Sequence, residues 1–214
     1  FINMGANDYV DFGYSSFIAE IASTLNETLL TDYLLERFKD DDDMRLFLLG
    51  GRVESIRTTI YRQALFAEFE KKIHELAENG TPLTAELFND TYRSLIRRYY
   101  GPDFSIGKND DVEWSYIPHL YWKFYVYTYA TGLSSGIALA EKVQKEGGKA
   151  RDAYLNMLAQ GRYRPPLEVL RDAGVDLTGP DAIRAAARLM DKTITEIEDI
   201  AKRKKKAESS QPKA

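Results

Sequence analysis

Tyr14, Ile18, Ile21, Ala22, Leu25 and Leu29 recur at helical spacing and form one apolar stripe, with Ser16, Glu20, Ser23, Thr24, Glu27 and Thr31 on the opposite side. The pattern predicts a helix from about Tyr14 to Phe38, ended by the acidic break Asp40 to Asp43. A second long pattern runs from Met44 to about Glu78, with Val53, Ile56, Ile60, Ala64 and Ala67 on its stripe. Gly50-Gly51 marks a kink in it or a division into two helices, and Asn79-Gly80-Thr81-Pro82 stops it. Thr84 suits the N-cap of a helix over Ala85 to Tyr99, closed by Gly101-Pro102 and followed by a polar loop to Asp111.

Trp114 to Tyr129 is the densest aromatic stretch and holds both tryptophans. It leads into a helix of small residues, Ala130 to Lys145, in which Gly132 and Gly136 have the spacing of a close packing contact; Gly147-Gly148 ends it. Arg151 to Gln160 reads as a short amphipathic helix, and Pro166 opens another that closes at Gly174. Gly179-Pro180-Asp181 starts the last helix, with Ile183, Ala187, Met190, Ile194 and Ile197 expected on its buried side. No strand alternation and no internal repeat is visible, so the fold class is an all-α, multi-helix array. One domain is expected over residues 1–206, with a disordered tail over 207–214.

Composition narrows the class. At 214 residues and 44% hydrophobic content the chain is long enough for a well-packed core. It has no cysteine, which excludes a disulfide framework, thiol catalysis and Cys-ligated zinc and fits a reducing cytoplasm. No apolar run approaches the roughly 20 residues of a membrane span, so no membrane partner is expected. The chain begins at Phe1 rather than Met, and a segment is expected to precede it. A net charge of -4 argues against nucleic acid as a partner. The basic run Lys202 to Lys206 reads as a solvated helix end.

Charge also singles out the first helix. Phe1 to Glu36 contains no Lys or Arg, yet Asp8, Asp11, Glu20, Glu27, Asp32 and Glu36 are acidic. Solvated helix faces usually pair their Glu with Lys or Arg. Glu20 and Glu27 lie two turns apart, roughly 10 Å along the axis. A face of hydroxyls and unpaired carboxylates suits a neighbour that brings positive charge, such as a metal ion, although an exposed acidic helix has the same pattern.

The two histidines differ. His74-Glu75-Leu76-Ala77-Glu78 begins like a zinc motif, but Glu78 stands where the second His is required, so His74 reads as an ordinary residue near a helix end. His119 follows Pro118 and lies among Tyr116, Tyr121, Trp122, Tyr125, Tyr127 and Tyr129. Such a crowd packs a core or lines a groove, and it can also hold a catalytic imidazole. No Gly-rich phosphate loop or Ser-His-Asp arrangement appears.

The segment Phe17-Ile18-Ala19-Glu20-Ile21-Ala22-Ser23-Thr24-Leu25-Asn26-Glu27 resembles the stretch that follows the His-Glu-x-x-His helix in the oligoendopeptidase F family of thimet-oligopeptidase-like zinc metallopeptidases. The resemblance continues through Tyr61 to Glu70, Tyr99-Tyr100-Gly101-Pro102, Ile117-Pro118-His119 and Tyr129-Ala130-Thr131-Gly132, and ends near Ala173-Gly174-Val175-Asp176. No His-Glu-x-x-His is present in the chain.

The resemblance implies the C-terminal portion of a zincin-type oligopeptidase catalytic domain, with the two zinc histidines and the general-base Glu lying upstream of Phe1. It implies one Zn2+ ion that activates water and polarises the scissile carbonyl. Glu20 is the implied third ligand and Glu27 an implied partner that orients a ligand histidine. His119, with Tyr125, Tyr127 or Tyr129, is implied to stabilise the tetrahedral intermediate, and the implied partners are short peptides and the missing N-terminal part. The other reading is a non-enzymatic α-helical interaction module, a degenerate relative without metal. A His-Glu-x-x-His directly upstream would favour the peptidase, and a start codon at Phe1 the module.

Overall fold

The computed structural model describes residue 5 and residues 8–11, 13–162 and 164–209. Every regular element among them is a helix: α1 Ser16–Arg37, α2 Asp42–Ile56, α3 Arg62–Glu78, α4 Ala85–Tyr100, α5 Tyr127–Glu146, α6 Gly148–Ala159, α7 Pro166–Asp172 and α8 Asp181–Ser209. Short 3-10 turns cover Asp110–Tyr116 and Pro118–Trp122. Two compact units form, where one domain over 1–206 is the sequence expectation. The first comprises the chain to Arg57 and from Thr131 onward; the second is Thr58–Ala130.

In the first unit, Ile18, Ile21 and Leu25 of α1 are buried with Leu139 and Ala140 of α5, Tyr154 and Met157 of α6, and Val169 and Leu170 of α7. Burying each such Ile or Leu side chain contributes about 1.5–3 kcal/mol. Thr24, expected on the polar face, is buried instead, because Gly132 and Gly136 let α5 approach it. A Cβ on Gly136 would lie 2.3 Å from Thr24 Oγ1 and 2.9 Å from the Leu25 amide. The spacing of the two glycines is therefore a helix–helix contact.

The last helix is rotated from the expected phase. Ala182, Ala185, Ala186, Thr193 and Ile200 are buried, Ile183 and Ile194 are 46% and 41% exposed, and Ile197 packs at the edge of a cluster with Leu35 and Leu49. Toward the start of the helix the small side chains Ala182, Ala185 and Ala186 form the inner face and Ile183 faces outward, while Ile200 is buried near its end. The helix also continues to Ser209, past the expected start of a tail; residues 210–214 lie outside the described residues. Its basic end meets the acidic break, Arg203 with Asp42 at 2.7 Å and Lys204 with Asp43.

Gly50 and Gly51 lie in regular helix, and the irregularity falls six residues after Gly51, in a π turn at Arg57–Tyr61. A π turn inserts one extra residue into the helical phase. The buried series Ile56, Ile60 therefore continues as Leu65, Phe66, Phe69 and Glu70, while Ala64 and Ala67 of the expected stripe are only half-buried.

In the second unit α3 packs on α4, which Thr84 caps through the Leu87 amide at 3.2 Å. The core is aromatic. Phe69 lies 5.3 Å from Tyr92 and 5.8 Å from Phe88, and Phe88 lies 4.9 Å from Trp114, centroid to centroid. The Trp114 indole donates to Asn89 Oδ1 at 2.9 Å, and Arg93 grips Asp111 at 2.6 Å. These bonds tie the 3-10 turn Asp110–Tyr116 to α4.

Candidate functional site

On α1, Glu20 is half-buried and Glu27 exposed, and neither carboxylate has a hydrogen bond or ion pair among the described residues. Asp32, on the same helix, differs: Arg52 pairs with it and Gln144 donates to it at 2.7 Å. The hydroxyls between Glu20 and Glu27 bond back to the helix, Ser23 and Thr24 to the Glu20 carbonyl at 3.1 and 2.8 Å. The polar face is thus internally satisfied except at its carboxylates. Glu20 is also placed by packing, since its Cβ lies 2.9 Å from where a Cβ on Gly132 would be. Glu27 borders a groove of about 630 Å³ between α1 and α2, beside Leu30, Thr31, Phe47 and Gly50. Among the described residues no three His, Asp or Glu side chains gather closely enough to hold a metal ion.

The second unit brings together His119, Tyr125 and Tyr129, three of the four residues that the sequence predicts as catalytic. The half-buried imidazole stacks on Tyr125 at 5.9 Å and meets Trp122 at 4.9 Å and Tyr129 at 5.9 Å, both edge-on. The Tyr129 hydroxyl lies 3.4 Å from His119 Nε2. Tyr125, just before α5, and Tyr129, in its first turn, contact each other at 5.6 Å. Tyr127 falls between them in sequence and is 41% exposed. The helix begins three residues before the expected Ala130, which places Tyr127 and Tyr129 in its first turn. Buried Ile117 and Val126 anchor the loop on either side. His119 and Tyr129 open onto a cavity of about 440 Å³ lined also by Arg62, Gln63, Phe66 and Pro118.

Two supports of this cluster are absent from the sequence reading. Arg62 pairs with Glu113, which accepts the Tyr92 hydroxyl at 2.7 Å, while its guanidinium lies 5.0 Å from the centre of the Phe66 ring. Burial, then the Glu113 bond, pushes the Tyr92 phenol far above its ordinary range, so it stays a donor. Glu70 accepts the Phe124 amide at 2.6 Å. Lys123 and Phe124 have φ of 46° and 56°. Left-handed backbone costs such residues roughly 1–2 kcal/mol each, and a hydrogen bond, contributing about 0.5–1.5 kcal/mol net, offsets part of that. His74 packs its ring 4.7 Å from that of Phe124, consistent with an ordinary packed residue.

A model of peptidase family M3 matches residues 4–189. The oligopeptidase PepF of Bacillus subtilis (strain 168) is 44% identical over 187 residues, which is 87% of this chain and 28% of that protein. The plasmid oligoendopeptidase F of Lactococcus lactis subsp. cremoris is 42% identical over 194 residues, 90% of this chain and 32% of the relative. The crystal structure of oligoendopeptidase-F from Enterococcus faecium superposes with a TM-score of 0.84 at 40% identity, covering 89% of this chain and 36% of that one. The chain thus spans about a third of the length of the relatives it matches.

Proposed function

The chain belongs to peptidase family M3, and from that premise we propose that it is the C-terminal part of the catalytic domain of a zinc-dependent oligoendopeptidase that hydrolyses short peptides. The observation that carries this reading is the Glu20 carboxylate, half-buried on a helix face without Lys or Arg and without a partner among the described residues. An anionic oxygen held in place by packing and left unneutralised fits one ligand position of a zinc site. The remaining ligands would come from the polypeptide preceding Phe1.

Zinc, when bound, supplies Lewis-acid polarisation of the scissile carbonyl. The chain's own residues then have separate tasks. Glu20 holds the metal, and Glu27, two turns along, orients a ligand histidine. His119 and Tyr129 donate hydrogen bonds to the carbonyl oxygen as negative charge builds there. Tyr125 braces the imidazole by stacking, a role supported by its contacts with both partners. The cavity beside His119 and Tyr129 accepts the peptide.

The test is zinc content. In the full-length polypeptide, Glu20→Gln should lose metal and activity while its circular dichroism stays helical, because Ile18, Ile21 and Leu25 are untouched. Equal zinc in wild type and variant would remove the assignment.

A further inference from the structure

Glu70 is 1% exposed, and no other Asp, Glu, Lys or Arg among the described residues is buried. A buried carboxylate is costly unless it is well paired. Here Oε1 is satisfied by the Phe124 N–H at 2.6 Å, and Oε2 has no hydrogen-bond partner among the described residues. The bond of Glu70 to the Phe124 amide is what this buried side chain makes among the described residues.

That bond falls on the second of two consecutive non-glycine residues in left-handed backbone, Lys123 and Phe124. The Glu70 side-chain oxygen accepts this N–H and so holds the turn in that conformation. The turn sits between Trp122 and Tyr125, whose rings are 5.3 Å apart and both touch His119. One helical turn along α3, His74 packs on the Phe124 ring. Helix α3 therefore grips the turn twice, once by its backbone and once by its side chain.

We propose that Glu70 is a positioning residue for peptide hydrolysis: by holding the left-handed Lys123–Phe124 turn it folds the chain back so that Tyr125 and Tyr129 meet His119. The proposal rests on the reading of His119 and Tyr129 as donors to the reacting carbonyl. Without the Glu70 bond the turn relaxes toward right-handed or extended backbone, and the two halves of the cluster separate. A displacement on the scale of 1 Å is enough to lose about 100-fold in rate.

The experiment compares kcat, KM and Tm in the full-length enzyme. Glu70→Ala should lower kcat by about 100-fold with KM little changed. Glu70→Gln keeps an acceptor for the Phe124 amide and should recover most of the turnover. Lys123→Gly removes the left-handed penalty at an exposed side chain, so it should leave wild-type turnover unchanged and restore part of what Glu70→Ala loses. On the 214-residue chain, the Phe124 amide should exchange with solvent as slowly as core amides do, whatever the activity. Normal kcat in Glu70→Ala with only a lower Tm, beside a slow His119→Ala, overturns the proposal alone. So does a kcat loss that neither Glu70→Gln nor Lys123→Gly relieves, or a fast-exchanging Phe124 amide. Normal turnover in His119→Ala overturns the reading beneath it.

Discussion

At the scale of single residues, the Tyr129 hydroxyl 3.4 Å from His119 Nε2 makes Tyr129 the phenol proposed to act with the imidazole. Tyr125 and Tyr127 are closer to His119 in sequence, but one stacks on the imidazole and the other is exposed. In the full-length enzyme, His119→Ala should lower kcat by about 100-fold or more with zinc content unchanged, since a pre-positioned donor matters most where charge develops. Tyr129→Phe should cost about 10-fold or more on the same argument, and Tyr127→Phe should stay near wild type. A destabilised His119→Ala that turns over normally would make His119 a packing residue. Another phenol reports on stability. Burial, and then the bond to Glu68, pushes the Tyr99 hydroxyl from 10.0 up to about 12. A raised folded value means that the neutral phenol is favoured by the fold. Its contribution is complete below pH 10 and is lost as pH rises toward 12. Burial and Glu113 shift Tyr92 in the same direction. Urea midpoints should therefore fall between pH 10 and pH 12, and less steeply in Tyr99→Phe; parallel profiles would show that Tyr99 takes no part.

At the scale of elements, the helices were legible because their start and stop signals are local. Thr84 caps α4 and Asp181 opens α8 as the residue types predict. What was not legible depended on neighbours. The buried face of α8 is set by how closely other helices approach, which selects Ala182, Ala185 and Ala186 over the more hydrophobic Ile183 and Ile194. The π turn at Arg57–Tyr61 leaves no composition signal, whereas Gly50-Gly51 gives a signal of irregularity in a stretch that stays regular. The site behaves the same way. Glu20 and His119 stand in readable segments, but Glu70 is separated from Phe124 by 54 positions and the bond between them forms only on folding. The two kinds of helical glycine make a direct test. Gly136→Ala drives a Cβ against Thr24 and the Leu25 backbone, so it should destabilise the chain by about 1–3 kcal/mol. Gly50→Ala meets open space in a regular helix and should stabilise by roughly 0.5–1 kcal/mol. Thermal unfolding of the pair should give shifts of opposite sign; shifts of the same sign would mean that α1 and α5 are not in close contact at Gly136.

At the scale of the whole molecule, charge is arranged by region. Asp42 and Asp43 are met by Arg203 and Lys204, and Asp32 by Arg52. The carboxylates of Glu20 and Glu27 have no such complement among the described residues. Exposed ion pairs are worth about 0.2–1 kcal/mol and weaken with salt, so the arrangement does little for stability. Its consequence lies in metal affinity. A catalytic zinc site needs three protein ligands, and the proposed site draws one of them, Glu20, from this chain. No set of three suitable side chains gathers among the described residues, and the chain spans about a third of its relatives. A lone carboxylate in water does not hold zinc against dialysis. The purified 214-residue chain should therefore retain no stoichiometric zinc and cleave no peptide, whereas the full-length polypeptide should do both and lose both on chelation. Zinc retained by the short chain at one ion per molecule, and still retained in its Glu20→Gln variant, would mean that the metal sits elsewhere and that Glu20 is an acidic surface residue.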